Sequence, residues 1–455
     1  MTYRELLSGN ADFRRLWTGQ VVSEVGDWLN NIAVLALVIQ LAGAGSVGLA
    51  VATYAIARHL PLFIFGPVAG VVVDRVSRRR VMIAADVARA LLALGFLLAN
   101  GAGSLALIYV VGASLFSVSA FFNAAKRASI PNLVGGTEEL LAANSLSAST
   151  TAATIAVGSA LGGVIATALG RDTVFVLNAF TFLASAEMIR RIRTVGRREM
   201  AVDSPLRVAD VEDVPRSSQP KVFELPTAIS LLPTALRRVS ADFREGLRYV
   251  RRDPLLAAVF VVAAGWGLGN GAARALYSLF GASLGEQAVE RWGASVSALA
   301  ERPTDFGISV LFVAMGFGGV LGAPLARRFN SGAVEGLGAR MGRSLVLDGC
   351  GLLLFSLTPN LFGAAALLVA REMNFAIWWT AQQTLLMRRT EDAFAGRVFA
   401  SYETLTTLTM VGSMLVSGAA ADRLGMRAVA AGGGAVIMMS GLLWFALRRH
   451  DRETG

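Results

Sequence analysis

Apolar runs of about twenty residues recur along this chain, each bounded by charged turns. A helix covers the roughly 30 Å hydrocarbon core in about 20 residues, with every backbone polar group bonded inside the segment, and an open sheet or loop leaves such groups bare in lipid. Twelve candidate spans follow, near 15–42, 46–73, 80–100, 104–126, 140–169, 172–190, 254–284, 306–327, 343–358, 361–387, 397–419 and 426–448. The ninth is the least apolar. The expected fold is therefore an all-α membrane protein. Its 16% of charged residues, against about 25% in a soluble domain, agrees with that class.

Charge sets the expected orientation, because Lys/Arg-rich loops stay on the cytoplasmic side. With the N-terminus inside, the cytoplasmic turns receive Arg75, Arg78, Arg79 and Arg80, then Lys126 and Arg127, then Arg327, Arg328, Arg340 and Arg343, then Arg388, Arg389 and Arg397, and the tail. The opposite loops receive only Arg171, Arg291, Arg302, Arg423 and Arg427. Both termini are expected to be cytoplasmic, in a bacterial inner membrane. The net charge of +10 is spread in short clusters between apolar runs, so nucleic acid is not an expected partner. One cysteine and two distant histidines give no metal set, and no metal or other cofactor is expected.

Residues 191–253 interrupt the series with a polar, basic stretch read as a cytoplasmic linker. Near its end, Phe243, Leu247 and Val250 recur at helical spacing among arginines, which predicts an amphipathic helix on the inner leaflet. The chain thus divides into bundles at 1–190 and 254–455, six spans each. A shared VGSxL, from Val157 in span five and from Val411 in span eleven, points to an internal repeat, the mark of transporters that rock two halves about a midplane site. In the outer loop 285–305, Val289, Trp292, Val296 and Leu299 have helical spacing and predict a short amphipathic helix.

The turn GVVVDRVSRRR, from Gly70 to Arg80, resembles the GxxxDRxGRR signature of the major facilitator superfamily, with Ser77 at a position that prefers Gly. Gly158, Gly162 and Gly163 are similar to that family's antiporter motif GPxxGG, with Ser159 in place of Pro. LWTGQVVSEVGDWL, KRASIPNLVGGTEELLAANSL, EGLRYVRRDPLL and AGRVFASYETL resemble the drug:proton antiporter branch that holds macrolide-efflux proteins and the enterobactin exporter. The resemblance implies two six-helix bundles, proton-driven efflux of a small amphipathic compound and multidrug resistance. It also implies a latch in which Gly70 permits close approach and Asp74, held by Arg75 and Arg78, caps span eleven near Gly396. The same glycine spacings also serve as ordinary helix packing.

Charged side chains inside spans are costly and normally face a cavity or a partner. Glu24 and Asp27, three apart, share one face of span one. Burial and a like charge both favour the protonated form of a carboxyl group, which suits this pair to carrying a proton. Glu372 and Glu403 are further proton-coupling candidates. The competing expectation is an Asp27 fixed structurally by Arg371 or Arg274. Asp86 and Arg89 read as an intrahelical pair. Trp28, Asn31, Phe122, Asn123, Asn270, Arg274, Arg371, Trp378 and Gln382 are the candidates for lining a central cavity. A monomer moving a small-molecule substrate and protons through membrane lipid is expected. Transport of a lysophospholipid, or import of a metabolite, is the alternative on the same fold. No nucleophilic triad, phosphate loop or metal set favours an enzyme.

Overall fold

The computed structural model describes residues 2–43, 45–193, 240–292, 301–330 and 336–453. Helices account for nearly all of them: α1 Tyr3–Gly9, α2 Ala11–Leu41, α3 Val47–Arg75, α4 Arg78–Gly101, α5 Leu105–Leu133, α6 Thr137–Leu169 and α7 Arg171–Arg190. After a short helix α8 at 240–250 come α9 Pro254–Trp292, α10 Pro303–Asn330, α11 Leu337–Leu357, α12 Leu361–Arg389, α13 Asp392–Leu424 and α14 Met426–Glu453. Spans one to six are α2–α7, and spans seven to twelve are α9–α14.

The packing repeats. In the first bundle α2 lies against α6 and α7, α4 against α5 and α7, and α3 against α5. In the second, α9 lies against α13 and α14, α11 against α12 and α14, and α10 against α12. Each pairing in one bundle has its counterpart in the other, and the bundles meet through a reciprocal pair of crossings, α6 on α10 and α13 on α3. The weak sequence repeat is thus a structural one. Its clearest local trace is the pair of glycines, Gly170 and Gly425, that end α6 and α13 at φ +93° and +85° and pass directly into the next helix. A side chain resists that backbone, and glycine does not.

Lipid acts as solvent for the outer faces. Leu91, Leu98, Val164, Phe180, Leu357 and Val416 stand exposed, as a bilayer-facing belt requires. Inside, one apolar core fills the second bundle, built on Phe280, Phe355, Tyr402 and Trp444. The first bundle has a core around Phe96, Phe175 and Phe182 and a second cluster at one end around Leu6, Phe13, Met82 and Ile189. That end carries the connection between the bundles and is called the linker face below. There α1 is fastened by a capping box, Thr2 N–H donating to Glu5 at 2.8 Å and Glu5 N–H to Thr2 Oγ1 at 3.3 Å, and by Leu6 buried in the cluster.

Two boundaries differ from the sequence reading. Span four runs on to Leu133, so Lys126 lies inside a helix rather than in a turn. Span nine starts at Leu337, six residues before 343. Among the described residues, eleven helices are long and apolar enough to cross a bilayer, and α11 falls outside that set because Arg340, Arg343 and Asp348 dilute its apolar run. The amphipathic helix expected before span seven is present as α8, and it docks on the second bundle. Tyr249 stacks on Phe394 at 4.6 Å, Glu245 accepts from Arg397 at 2.9 Å, and Val250 is buried in the second core. In the loop 285–305, α9 continues through Val289, while Val296 and Leu299 lie outside the described residues.

Candidate functional site

The seam between the bundles is tied at the face opposite the linker. Asp422, in the last turn of α13, accepts the backbone N–H groups of Gly48 at 2.7 Å and Leu49 at 2.9 Å. These are first-turn donors of α3, which has no side-chain cap of its own. A carboxylate there meets both the unsatisfied donors and the positive end of the helix dipole. The crossing is close because Gly48 and Gly418 face each other: a Cβ on Gly418 would lie 2.6 Å from the Gly48 carbonyl oxygen. At the second crossing Arg171 donates to both carboxylate oxygens of Asp305, at 2.8 to 3.3 Å, and to Gln40, while Arg302 donates to the carbonyl of Ala166. A vestibule of about 690 Å³ lies there, lined by Gln40, Arg171, Glu286, Glu301 and Arg302 among others.

At the linker face the expected latch is unengaged. Asp74 is exposed and makes no hydrogen bond or ion pair with any described residue. A Cβ on Gly70 would meet open space, and so would one on Gly396. Arg75 sits exposed in the last turn of α3. Arg78 reaches the carbonyl of Ala128 on α5 at 2.8 Å and so braces the first bundle rather than Asp74. The first residue of α13 is Asp392, a turn ahead of Gly396.

The glycines of span five divide their work. Gly158 and Gly162 press on α2, where a Cβ would come within 2.6 Å of the Trp28 Cβ and 3.0 Å of the Leu29 Cα. Gly163 faces α10 across the seam, against Ser309. One glycine of the three therefore lies at the crossing between bundles, and two seat α6 inside its own.

Glu24 and Asp27 do share a face and open onto one small cavity of about 90 Å³ with Arg89, Phe122, Asn123 and Lys126. Their partners differ. Glu24 accepts from Gln20 at 2.8 Å and from Lys126, Thr151 and Thr154 at 3.2 Å. Asp27, 26% exposed, has only Arg89 at 3.8 Å, and Arg89 gives its closer bond to buried Asp86. The Arg89 guanidinium lies flat between Phe122 and Phe182, 4.1 and 4.4 Å from the ring centroids. Neither Arg371 nor Arg274 is the group paired with Asp27. Arg371 is buried with Asp348, at 3.0 and 3.1 Å, and with the Tyr277 hydroxyl. A saturated carboxylate such as Glu24 is held in place, whereas a loosely paired, solvent-reached one such as Asp27 can take up and lose a proton without dismantling its surroundings.

Other candidates separate in the same way. Trp378 and Gln382 are 1% exposed and packed inside the second bundle, Trp378 against Trp266 at 4.6 Å, so they do not line open space. Arg371 is buried too, whereas Phe122, also buried, borders the small cavity beside Asp27. Asn270 is buried with its amide nitrogen unbonded among the described residues. Glu403 is exposed on α13. Trp28 and Asn31 meet Arg58 of α3, whose guanidinium lies 4.7 Å from the Trp28 centroid and donates to Asn31 Oδ1. Glu372 and Arg274 are half-buried, unbonded within the described residues, and in electrostatic reach of each other. Sequence reasoning passed over Arg58, Asp348 and Asp422. The first two are charges inside spans and carried the same signal as Asp27; Asp422 sits where a span end and a loop look alike.

Two repeated six-helix bundles, meeting at two reciprocal crossings and enclosing ionisable groups far from either surface, define a multi-pass membrane transporter of the two-bundle type. The chain belongs to the Major Facilitator Superfamily, whose family profile matches residues 16–413. Proteins of that family are transporters, not enzymes. The chain is 24% identical over 441 residues to the uncharacterized MFS-type transporter YfiS of Bacillus subtilis (strain 168), covering 94% of this chain and 91% of the relative. It is 26% identical over 370 residues to BacE, provisionally named a bacilysin exporter, of Bacillus subtilis, covering 79% and 77% respectively. The corresponding protein of Bacillus amyloliquefaciens is also 26% identical over 370 residues.

Proposed function

We propose that the protein exports a small amphipathic compound by alternating access, in exchange for protons. The linker face and both termini lie in the cytoplasm, across the bacterial inner membrane. The observation that carries this reading is the one-sided seam: polar ties and glycine crossings join the bundles at the opposite face, while Asp74 stands free at the linker face. In this reading the passage between the bundles opens on the cytoplasmic side. Outward release requires that Asp422 let go of α3 and that Asp74 engage the first turn of α13. Arg78 keeps the turn that carries Asp74 braced on α5.

Asp27 is the proton carrier in this scheme, with Glu24 as its fixed neighbour and Glu372 as the counterpart in the second bundle. Direction rests on the exporter names of the relatives and on the glycine pattern of α6, which supports the antiporter branch. The test is a transport assay in inverted vesicles with an imposed pH gradient and a chemically broad panel of amphipathic compounds. A transported compound is expected to collapse the gradient only when the intact protein is present. A panel that moves with no change in lumenal pH would end the proton-exchange reading, and uptake in the reverse direction would end the export reading.

A further inference from the structure

Arginines inside membrane spans are stable only when their charge is answered, since an unpaired buried ion costs several kcal/mol. This chain answers two of them with carboxylates, Arg89 with Asp86 and Arg371 with Asp348. Two others break the rule. Arg58, midway along α3, and Arg274, midway along α9, have no carboxylate within 4.0 Å among the described residues. Arg58 is carried instead by the ring faces of Trp28 and Phe116, 4.7 and 5.2 Å from their centroids, and gives one N–H to Asn31. Most of its five donors stay available.

Arg274 is the one half-buried residue in an otherwise buried stretch from Gly269 to Ser278. Its neighbour Ala275 packs against Ala52 and Ala55 of α3, one turn from Arg58, which brings the two arginines, one from each bundle, to a common level. Each lies in electrostatic reach of the other, Arg58 also of Asp27 and Arg274 also of Glu372, with neither carboxylate within 4.0 Å. Two like charges gathered this way, beside an aromatic frame of Trp28 and Phe312 at 6.0 Å, call for an anion with an apolar body.

We propose that the compound carried is a small amphipathic carboxylate, its carboxyl group gripped by Arg58 and Arg274 from the two bundles and its apolar body laid against Trp28, Phe116 and Phe312. The proposal deepens the transport reading and names the substrate class for that cavity. Binding across the seam gives the substrate purchase on both moving halves. Arg58 is held by π faces and an amide rather than by a carboxylate in contact, which keeps it available to a ligand that must leave again.

The test uses the purified full chain in detergent and matched pairs of aryl carboxylic acids and their primary amides, beginning with naphthaleneacetic acid and naphthaleneacetamide, with binding read from tryptophan fluorescence. The acid is expected to bind at least about tenfold more tightly than its amide, the value of one charge-assisted hydrogen bond pair. Arg58→Gln and Arg274→Gln should each bring acid and amide to parity. Arg58→Lys and Arg274→Lys, which keep the charge and control for misfolding, should retain part of the preference. Amides binding as well as acids, acids failing to bind across the panel, or an undiminished preference in both Gln variants would each overturn the proposal. Acid-selective binding without proton exchange in vesicles would instead leave this site standing and remove the antiport reading.

Discussion

Replacing Asp422 by Asn should bias the transporter towards opening at the face away from the linker. The carboxylate holds two first-turn N–H groups of α3 at 2.7 and 2.9 Å, and it is half-buried at the crossing. Hydrogen bonds to a charged group contribute about 1.5–3 kcal/mol when well shielded, and a charge at a helix terminus a further 0.3–1 kcal/mol. An Asn side chain keeps one neutral acceptor, worth about 1 kcal/mol, and loses the charge. Partial exposure places the net loss near the low end, at about 1–2 kcal/mol, or about 5- to 30-fold in the ratio of closed to open forms. Spin labels at Ala102 and Leu424, on opposite bundles at that face, in a Cys350→Ser background, give the distance distribution by double electron–electron resonance. A second, longer distance should grow in Asp422→Asn and further in Asp422→Ala. Identical distributions in wild type and both variants would show that the cap does not hold this face shut.

Four further outcomes follow from the geometry. Gly70→Leu fills open space, so its stability should match wild type to within about 0.5 kcal/mol, while transport falls about tenfold if α3 must approach α13 elsewhere in the cycle; unimpaired transport refutes the latch. Asp348→Ala leaves Arg371 buried without its partner and should destabilise by about 3–5 kcal/mol, with much of that recovered in Asp348→Leu/Arg371→Met, both read by thermal unfolding in detergent. Gly158→Val drives a side chain into Trp28 and the Val25 carbonyl and should cost about 1–3 kcal/mol in the same assay. Asp27→Asn should abolish substrate-driven proton flux while leaving substrate binding within a few-fold of wild type, whereas Glu24→Gln, with its partners among Gln20, Lys126, Thr151 and Thr154, should act chiefly on stability.

The fold was legible because lipid imposes a single length and a single polarity on every span. The chain's arginine distribution then fixes which turns share a side. Boundaries slipped where that code is weak. Lys126 was assigned to a turn because it is charged, yet Glu24 holds it inside α5, and α11 began early because its arginines resemble loop residues. The site was legible only in part. A charge within a span announces that something answers it but not what does. Asp27 was offered Arg371 or Arg274 as a partner, and the helix packing supplies Arg89, because α4 reaches the cavity of α2 while Arg371 is turned towards α11. Aromatic and amide residues such as Trp378 and Gln382 gave no sequence sign of direction, and both face the bundle interior. Arg58 and Asp422 required contacts between helices far apart in the chain.

The docking of α8 on the start of α13, and of α1 beneath the first bundle, gives each half of the molecule a short helical pointer outside the lipid. A dye on α8 travels with one half and a dye on α1 with the other. Energy transfer between them would let single molecules in a membrane be watched turning over, one colour change per stroke, with nothing attached to the helices that do the moving.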